Sequence, residues 1–205
     1  MPRPRSALLS VELIVESALA QVDRTGNFSF PRIAAELGVS QSSLYNRIES
    51  REHIIELLRA RIFADRRVMQ DDDESWEQTV RRLIRSYHDC FAQHPNLVPL
   101  LMSQTVRAEA VLQMYEDLAA ALERSGLPQQ DLMSAISLID YFALGSALES
   151  TAPDEVWDVS TEHHPTLRRA LQEAGPTGER VNRAFDFGVD ALLAGIAMRT
   201  KHRIY

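Results

Sequence analysis

Apolar residues recur every three or four positions along most of the 205-residue chain, and this spacing predicts helices. No segment shows the strict alternation of apolar and polar residues that is typical of strands. We therefore expect an all-α fold, with helices over residues 8–24, 41–47, 51–69, 76–94, 107–124, 129–150, 166–174 and 179–199 and a further helix between Ser29 and Gly38. The inner stripe of the first helix should contain Leu9, Leu13, Ala18, Leu19 and Val22.

Residues 28–55 predict two short helices around a tight turn, followed by a longer helix. The Ser29 hydroxyl can cap the first helix, and Gly38 can end it in the left-handed conformation. Ser40 can cap the second helix in the same way. In that second helix Leu44 is strongly apolar and most other side chains are polar, so only a narrow face can pack on a core.

The composition of this second helix is typical of a helix that reads DNA. The major groove admits a helix, and Gln or Asn amides can pair there with adenine. Arg47 and Arg51 could donate hydrogen bonds to phosphates. A solvent-facing helix of an ordinary bundle would also be polar, so composition alone leaves both interpretations open. The candidates for DNA contact are Ser29, Gln41, Ser42, Ser43, Tyr45, Asn46, Arg47 and Arg51.

The same stretch resembles the DNA-binding domain of TetR-family transcriptional regulators. The resemblance is carried by the Gly-Val-Ser turn at 38–40, the Ser-Leu-Tyr run at 43–45 and the pattern over 48–54. It implies that the candidates on the second helix approach bases or phosphates, and that Arg47 and Arg51 clamp the DNA backbone. Double-stranded operator DNA is the partner that the resemblance implies.

The two long predicted helices, 129–150 and 179–199, are apolar on nearly every side. A helix of this kind must be buried on more than one face. One face can serve the monomer core and the other an identical subunit, although a larger monomeric core would give the same pattern. The runs YFALGSALE and FDFGVDALLAG are similar to the last two long helices of tetracycline-repressor-type C-terminal domains, which implies a homodimer.

A small-molecule site is the second candidate in the C-terminal part of the chain. Apolar walls with a few polar groups are typical of a ligand pocket, and also of an ordinary core, so both interpretations stay open. The candidate lining residues are Tyr87, His88, Phe91, Met102, Met114, Met133 and Asp140. In the tetracycline-repressor type a histidine near the sixth helix helps to bind the drug's magnesium. The segment 97–102 contains no histidine, although Glu149 matches a family glutamate near the metal, so we do not expect magnesium–tetracycline as the effector. We predict no metal site and no cofactor.

The net charge of −7 is divided unevenly along the chain. Residues 1–51 hold six basic against five acidic residues, and the remainder holds sixteen basic against twenty-four acidic residues. The acidity therefore lies outside the candidate DNA-binding segment, which also begins with an arm containing Arg3 and Arg5. A local basic surface remains compatible with the negative total.

The sequence indicates a cytoplasmic protein that does not span a membrane. No uninterrupted apolar run reaches the roughly 18 residues needed to cross a bilayer, and the N-terminus lacks the apolar core of a signal peptide. Cys90 is the single cysteine, which excludes an internal disulfide and a thiolate zinc cluster. No residue arrangement typical of catalysis stands out, so we expect no enzyme.

These features together predict a ligand-responsive transcriptional regulator, a repressor that binds a palindromic operator as a homodimer. Residues 1–51 should form the DNA-binding domain and residues 70–205 the domain for effector binding and dimerisation, with helix 51–69 as the link. The effector would be a hydrophobic small molecule of unknown identity. The alternative is a TetR-like DNA-binding protein that responds to a protein partner or has no small-molecule effector.

Overall fold

The computed structural model describes residues 9–64, 73–153, 155–159 and 163–201, and every regular element within these ranges is helical. The all-α prediction is confirmed. The arm with Arg3 and Arg5 lies outside the described residues, as does the end of predicted helix 51–69. The α-helices are α1 (Val11–Thr25), α2 (Phe30–Leu37), α3 (Gln41–Tyr45), α4 (Arg51–Ala64), α5 (Trp76–Ala92), α6 (Val98–Met102), α7 (Glu109–Arg124), α8 (Gln129–Leu148), α9 (Pro165–Ala174) and α10 (Thr177–Lys201). Single 3₁₀ turns span Pro95–Leu97 and Glu149–Thr151.

The chain divides into two compact units. The first unit comprises Met1–Arg67 and Gln93–Met114, and the second comprises Val68–Ala92 and Tyr115–Tyr205. In the first unit α1 packs on α2 and α4, α2 on α3, and α4 on α6.

Helix α1 buries three of the five predicted residues, Ala18, Leu19 and Val22, together with Ile14 and Val15. Ile14 is fully buried, whereas the predicted Leu13 is 39% exposed. The sequence offers adjacent apolar residues here, and packing inside the first unit selects among them. Ser10 caps the helix by accepting a hydrogen bond from the Leu13 amide at 3.3 Å, and Gly26 ends it with φ of 73°.

The connection from α1 to α2 is organised by a buried glutamine. The Gln21 side chain is 1% exposed, and its Oε1 accepts the Ser29 amide at 3.2 Å. The predicted cap by the Ser29 hydroxyl is wrong, because that hydroxyl makes no capping hydrogen bond. Gly38 ends α2 in the left-handed conformation, with φ of 67°, as predicted.

A carboxylate on α2 ties this helix to α1. Glu36 accepts hydrogen bonds from Ser17 Oγ at 2.6 Å, Gln21 Nε2 at 3.1 Å and Arg24 Nη2 at 2.9 Å. The bond from Ser17, followed by that from Gln21, holds the pKa of Glu36 below its ordinary value.

A nearly buried ion pair lies on α4 in the same unit. Arg59 Nε lies 2.9 Å from Glu56 Oε1, and its Nη2 donates to the Leu101 carbonyl at 3.0 Å. Glu56 Oε2 in turn accepts the amides of Arg107 and Ala108 at 2.9 and 3.0 Å. These bonds connect α4 to the end of α6 and to the start of α7.

The second unit is built around α5, α8 and α10, which pack on one another. Gly188 on α10 permits close approach to α8, because a Cβ at this position would lie 2.2 Å from the Phe142 ring. Helix α8 is long and apolar enough to cross a bilayer by length and composition, a criterion that the central helix of a soluble helical domain also meets. In this unit α8 supplies buried side chains to the core, including Leu132, Ile136, Ile139 and Leu144.

Candidate DNA-binding helix and effector site

Helix α3 presents a polar surface to solvent. Leu44 and Ile48 are fully buried and hold the helix to the first unit. The Ser40 hydroxyl caps its N-terminus by accepting the Ser43 amide at 3.2 Å. The helix ends at Tyr45, two residues before the predicted end. Among the predicted DNA-contacting residues, the exposed ones are Gln41, Ser42, Tyr45, Asn46 and Arg47.

The serine hydroxyls at this helix start are bound to one another. Ser40 Oγ lies 2.9 Å from Ser42 Oγ and 2.7 Å from Ser43 Oγ. These side chains therefore organise the first turn of α3. The Gln41 amide and the Arg47 guanidinium extend from the same short segment and are exposed.

Tyr45 is held in a defined orientation by an aromatic contact. Its ring stacks on Phe30, with centroids 4.9 Å apart and an interplanar angle of 17°. The side chain is still 52% exposed. An aromatic ring fixed in this way can present its hydroxyl to a partner with little loss of side-chain entropy. Ser29, the remaining candidate from α2, is half-buried at the start of that helix.

Arg51 has a structural role that sequence reasoning missed. Its Nη1 donates to the Phe28 carbonyl at 3.0 Å, and its Nη2 donates to Asn27 Oδ1. The guanidinium carbon lies 4.2 Å from the centroid of the Phe28 ring. Arg51 thus fastens the start of α4 to the connection between α1 and α2. No sequence motif signals these contacts, and its predicted phosphate contact stays a prediction.

Three of the predicted effector-site residues, Tyr87, Phe91 and Asp140, take part in an aromatic and polar cluster of the second unit. Tyr87 and Phe91 are buried on α5, with ring centroids 5.0 Å apart. The Tyr87 hydroxyl lies 3.2 Å from the Tyr115 hydroxyl, which donates to Asp140 Oδ2 at 2.9 Å. His88, also on α5, contacts a different ring.

His88 lies against the α10 helix. Its ring centroid is 4.3 Å from that of Phe185, which stacks at 5.4 Å on Phe142. Its Nδ1 lies 3.2 Å from Asp89 Oδ1. The histidine is therefore part of the α5–α8–α10 packing.

The three predicted methionines are not in the interior of a single unit. Met102 and Met133 are 63% and 67% exposed, so the interior position predicted for them is not observed. Met114 is half-buried, and both Met102 and Met114 lie in the part of the chain that belongs to the first unit. The residue that sequence reasoning missed is Tyr115, which follows Met114 and bonds to the Asp140 carboxylate.

Burial raises the pKa of the Asp140 carboxyl, and the hydrogen bonds from Tyr115 and Tyr87 oppose this rise. A half-buried carboxylate among aromatic rings is therefore less strongly held in its charged form than a surface carboxylate.

The structure shows no group of three or more His, Cys, Asp or Glu side chains that could hold a metal ion within the residues it describes. Glu149, at the end of α8, lies 3.2 Å from Arg180. Its carboxylate is thus engaged by a guanidinium.

An apolar groove of about 740 Å³ runs between α8 and α10 in the second unit. Its walls include Leu138 and Tyr141, which are 50% and 68% exposed. Phe187 lies one turn before the lining residue Ala191 and is 75% exposed. Large exposed apolar side chains of this kind are typical of an interaction surface.

A short exposed helix, placed after a glycine turn on an N-terminal helical unit, is typical of helix-turn-helix DNA-binding regulators. The sequence family described as the tetracyclin repressor-like C-terminal domain matches residues 69–200, most of the remaining chain. The protein belongs to the TetR family of transcriptional regulators, and the resemblance noted in the sequence is confirmed. Members of this family are DNA-binding transcription factors and not enzymes.

Curated relatives agree with this assignment. The HTH-type transcriptional repressor DrrR1 of Streptomyces coeruleorubidus is 26% identical over 149 residues, which cover 71% of this chain and 54% of DrrR1. The chain thus spans about half the length of that relative. The class D tetracycline repressor protein of Escherichia coli is 24% identical over 209 residues, covering 94% of this chain and 91% of the repressor.

Solved structures share the fold. The Streptomyces coelicolor TetR family protein ActR, crystallised in complex with actinorhodin, superposes with a TM-score of 0.74 at 21% identity. The superposition covers 95% of this chain and 99% of ActR.

Proposed function

We propose that this protein is a transcriptional repressor that binds a palindromic DNA operator as a homodimer and responds to a hydrophobic small molecule. The observation that carries the proposal is the surface of α3, where exposed amide, phenol and guanidinium groups stand on buried Leu44 and Ile48. The proposed location is the cytoplasm, which is typical of DNA-binding regulators of this family. The proposed division of labour assigns DNA binding to residues 1–51 and ligand binding and dimerisation to residues 70–205, with helix 51–69 as the link.

In this proposal the first residues of α3 face base edges and the residues after α3 face the DNA backbone. Gln41 occupies the first helical position, where recognition helices commonly contact bases. Its amide can make two hydrogen bonds to adenine. Arg47 follows the helix and is exposed, so its guanidinium can donate to phosphate oxygens. Ser29, Ser42, Ser43, Tyr45, Asn46 and Arg51 complete the proposed contact surface.

The groove between α8 and α10 supports a second copy of this chain as the dimer partner. A twofold interface uses the same surface on both copies, so an apolar face must be complementary to itself. The groove walls and the exposed Tyr141 and Phe187 side chains offer both a concave and a convex apolar surface. Two recognition helices in such a dimer would bind half-sites about 34 Å apart, or a multiple of that, and a palindromic operator would supply such half-sites.

Ligand response is proposed from the cluster of Tyr87, Tyr115 and Asp140 in the second unit. Buried aromatic walls with a few convergent polar groups are typical of small-molecule sites. The complex of ActR with actinorhodin supports a small-molecule effector for a chain of this fold. To release DNA, the effector must bind the non-binding conformation more tightly, because equal affinity for both states shifts nothing.

The proposal is tested by selecting duplex DNA from a random pool with the pure protein and measuring binding to the enriched site. We expect an enriched sequence with twofold symmetry. The triple variant Gln41→Ala, Tyr45→Ala, Arg47→Ala should lose this binding while keeping the helical content of the wild type. A variant that binds the selected site as tightly as the wild type would exclude α3 as the reading element.

A further inference from the structure

The Asp140 carboxylate is the negatively charged end of a hydrogen-bonded cluster in the second unit. Tyr115 Oη lies 3.1 Å from Oδ1 and 2.9 Å from Oδ2 of this carboxylate, and donates its proton to it. The Tyr87 hydroxyl lies 3.2 Å from the Tyr115 hydroxyl.

No basic side chain forms an ion pair with Asp140 in the part of the chain that the structure describes. An ionised carboxylate can accept about four hydrogen bonds, which is more than two phenol protons can supply. Burial raises its pKa, which reflects the cost of a charge that no cation compensates. Asp140 is half-buried, so the protein does not enclose this residue completely.

The surroundings of this carboxylate are aromatic. Tyr87 and Tyr115 meet edge to face with centroids 6.2 Å apart, and Phe91 packs on Tyr87 at 5.0 Å. Aromatic faces attract cations, and the attraction grows when water is excluded. A carboxylate beside such rings provides both recognition elements for a protonated nitrogen attached to an apolar body.

We propose that Asp140, together with Tyr87 and Tyr115, binds a protonated amine, so that the effector is a hydrophobic organic cation. The inference rests on the proposed function, since it specifies the ligand class of the proposed effector site. An anionic effector would meet an uncompensated like charge at Asp140. A neutral effector would leave the charge of Asp140 without a compensating cation.

The experiment uses matched probes on several aromatic scaffolds, each as an amine, its neutral N-acetyl derivative and the corresponding carboxylic acid. One such set is 4-phenylbenzylamine, N-acetyl-4-phenylbenzylamine and biphenyl-4-carboxylic acid. Binding to the full chain is measured by titration calorimetry and by thermal stabilisation. The wild type should bind amines about tenfold or more tightly than their neutral counterparts, the size expected of a hydrogen bond to a charged group.

Two variants separate charge recognition from a merely structural role. Asp140→Asn keeps the shape of the side chain and should abolish the preference for amines while leaving the binding of neutral probes intact. Glu116→Gln removes an exposed charge at the position next to Tyr115 and should leave the preference for amines unchanged. In the wild type, amine affinity should fall as pH decreases through the pKa of Asp140, and this pH dependence should vanish in Asp140→Asn.

The same protein samples are assayed for binding to selected operator DNA, so that the two proposals can fail separately. A wild type that binds DNA but binds no amine of the panel more tightly than its neutral counterpart overturns the inference alone. An amine preference that survives in Asp140→Asn also overturns it. A protein that prefers amines through Asp140 but binds no duplex DNA overturns the proposed function alone.

Discussion

Phe187 offers the sharpest test of the proposed dimer. The side chain lies on α10, one turn before the groove residue Ala191, and is 75% exposed in the single chain. If a second copy covers this face, Phe187→Ser should weaken dimerisation while leaving the fold of each chain intact, because the replaced ring contributes little to the monomer core.

The size of the effect follows from the exposed fraction. Complete burial of a phenylalanine side chain is worth about 1.5–3 kcal/mol, so the three-quarters that is exposed can contribute about 1–2 kcal/mol when covered. A twofold interface contains Phe187 twice, which gives about 2–4 kcal/mol per dimer. The dimer dissociation constant should therefore rise about 30- to 900-fold.

Sedimentation velocity over a range of protein concentrations measures this constant directly. Leu167→Ser on α9 is the matched control, because Leu167 is 38% exposed and lies outside the groove lining. The control should associate like the wild type. A Phe187→Ser protein that dimerises as tightly as the wild type, or a wild type that is monomeric at micromolar concentration, would refute the reasoning.

Three further predictions concern stability, each measured by denaturant or thermal unfolding. Gly188→Ala should destabilise the fold, because a methyl group 2.2 Å from the Phe142 ring costs about 1–3 kcal/mol of overpacking and gains only about 1 kcal/mol of helix propensity. Gly145→Ala should not destabilise, because nothing lies within 4 Å of a Cβ at that position. Equal effects of the two substitutions would contradict the packing argument. Arg59→Met should cost about 3 kcal/mol because it leaves a nearly buried carboxylate without its cation, and a loss below about 1 kcal/mol would disprove this. The pKa of Glu36 is lower in the folded than in the unfolded chain, so the stability that Glu36 provides is complete above the ordinary carboxyl pKa and is lost as pH falls through the folded value. Glu36→Gln should therefore reduce the loss of unfolding free energy at acid pH. An unchanged loss would show that Glu36 does not contribute to it.

The helical architecture could be predicted from the sequence because periodicity and helix-ending glycines are local signals. Gly26 and Gly38 both adopt positive φ, as their positions after apolar stripes indicate. The choice between Leu13 and Ile14 could not be predicted, because both are apolar neighbours and only packing decides which is buried. The predicted cap by the Ser29 hydroxyl is not formed, and the backbone amide of Ser29 is instead bound by the Gln21 side chain of the preceding helix. The sequence near Ser29 does not reveal this contact.

The proposed DNA-binding surface was more predictable than the proposed effector site. The exposed residues of α3 follow directly from one short polar segment, whereas Arg51 is committed to backbone and side-chain partners that no local pattern reveals. In α7 both Met114 and Tyr115 fit the helical spacing from Val111, and the tyrosine is the one bonded to Asp140. A polar partner on another helix can be identified only when the fold brings the two together.

Base readout by α3 is the central claim, and quantitative binding to the selected operator tests it most directly. Equilibrium affinities of the wild type, Gln41→Ala and Arg47→Ala are measured on the selected site and on single-base variants, at several salt concentrations. The account predicts that Gln41→Ala loses discrimination at one base pair per half-site, worth about 1–3 kcal/mol. It predicts that Arg47→Ala weakens binding to all sequences alike, and that the slope of log affinity against log salt concentration falls in magnitude by about one for each phosphate that Arg47 neutralises. Unchanged base discrimination in Gln41→Ala together with an unchanged salt slope in Arg47→Ala would contradict it.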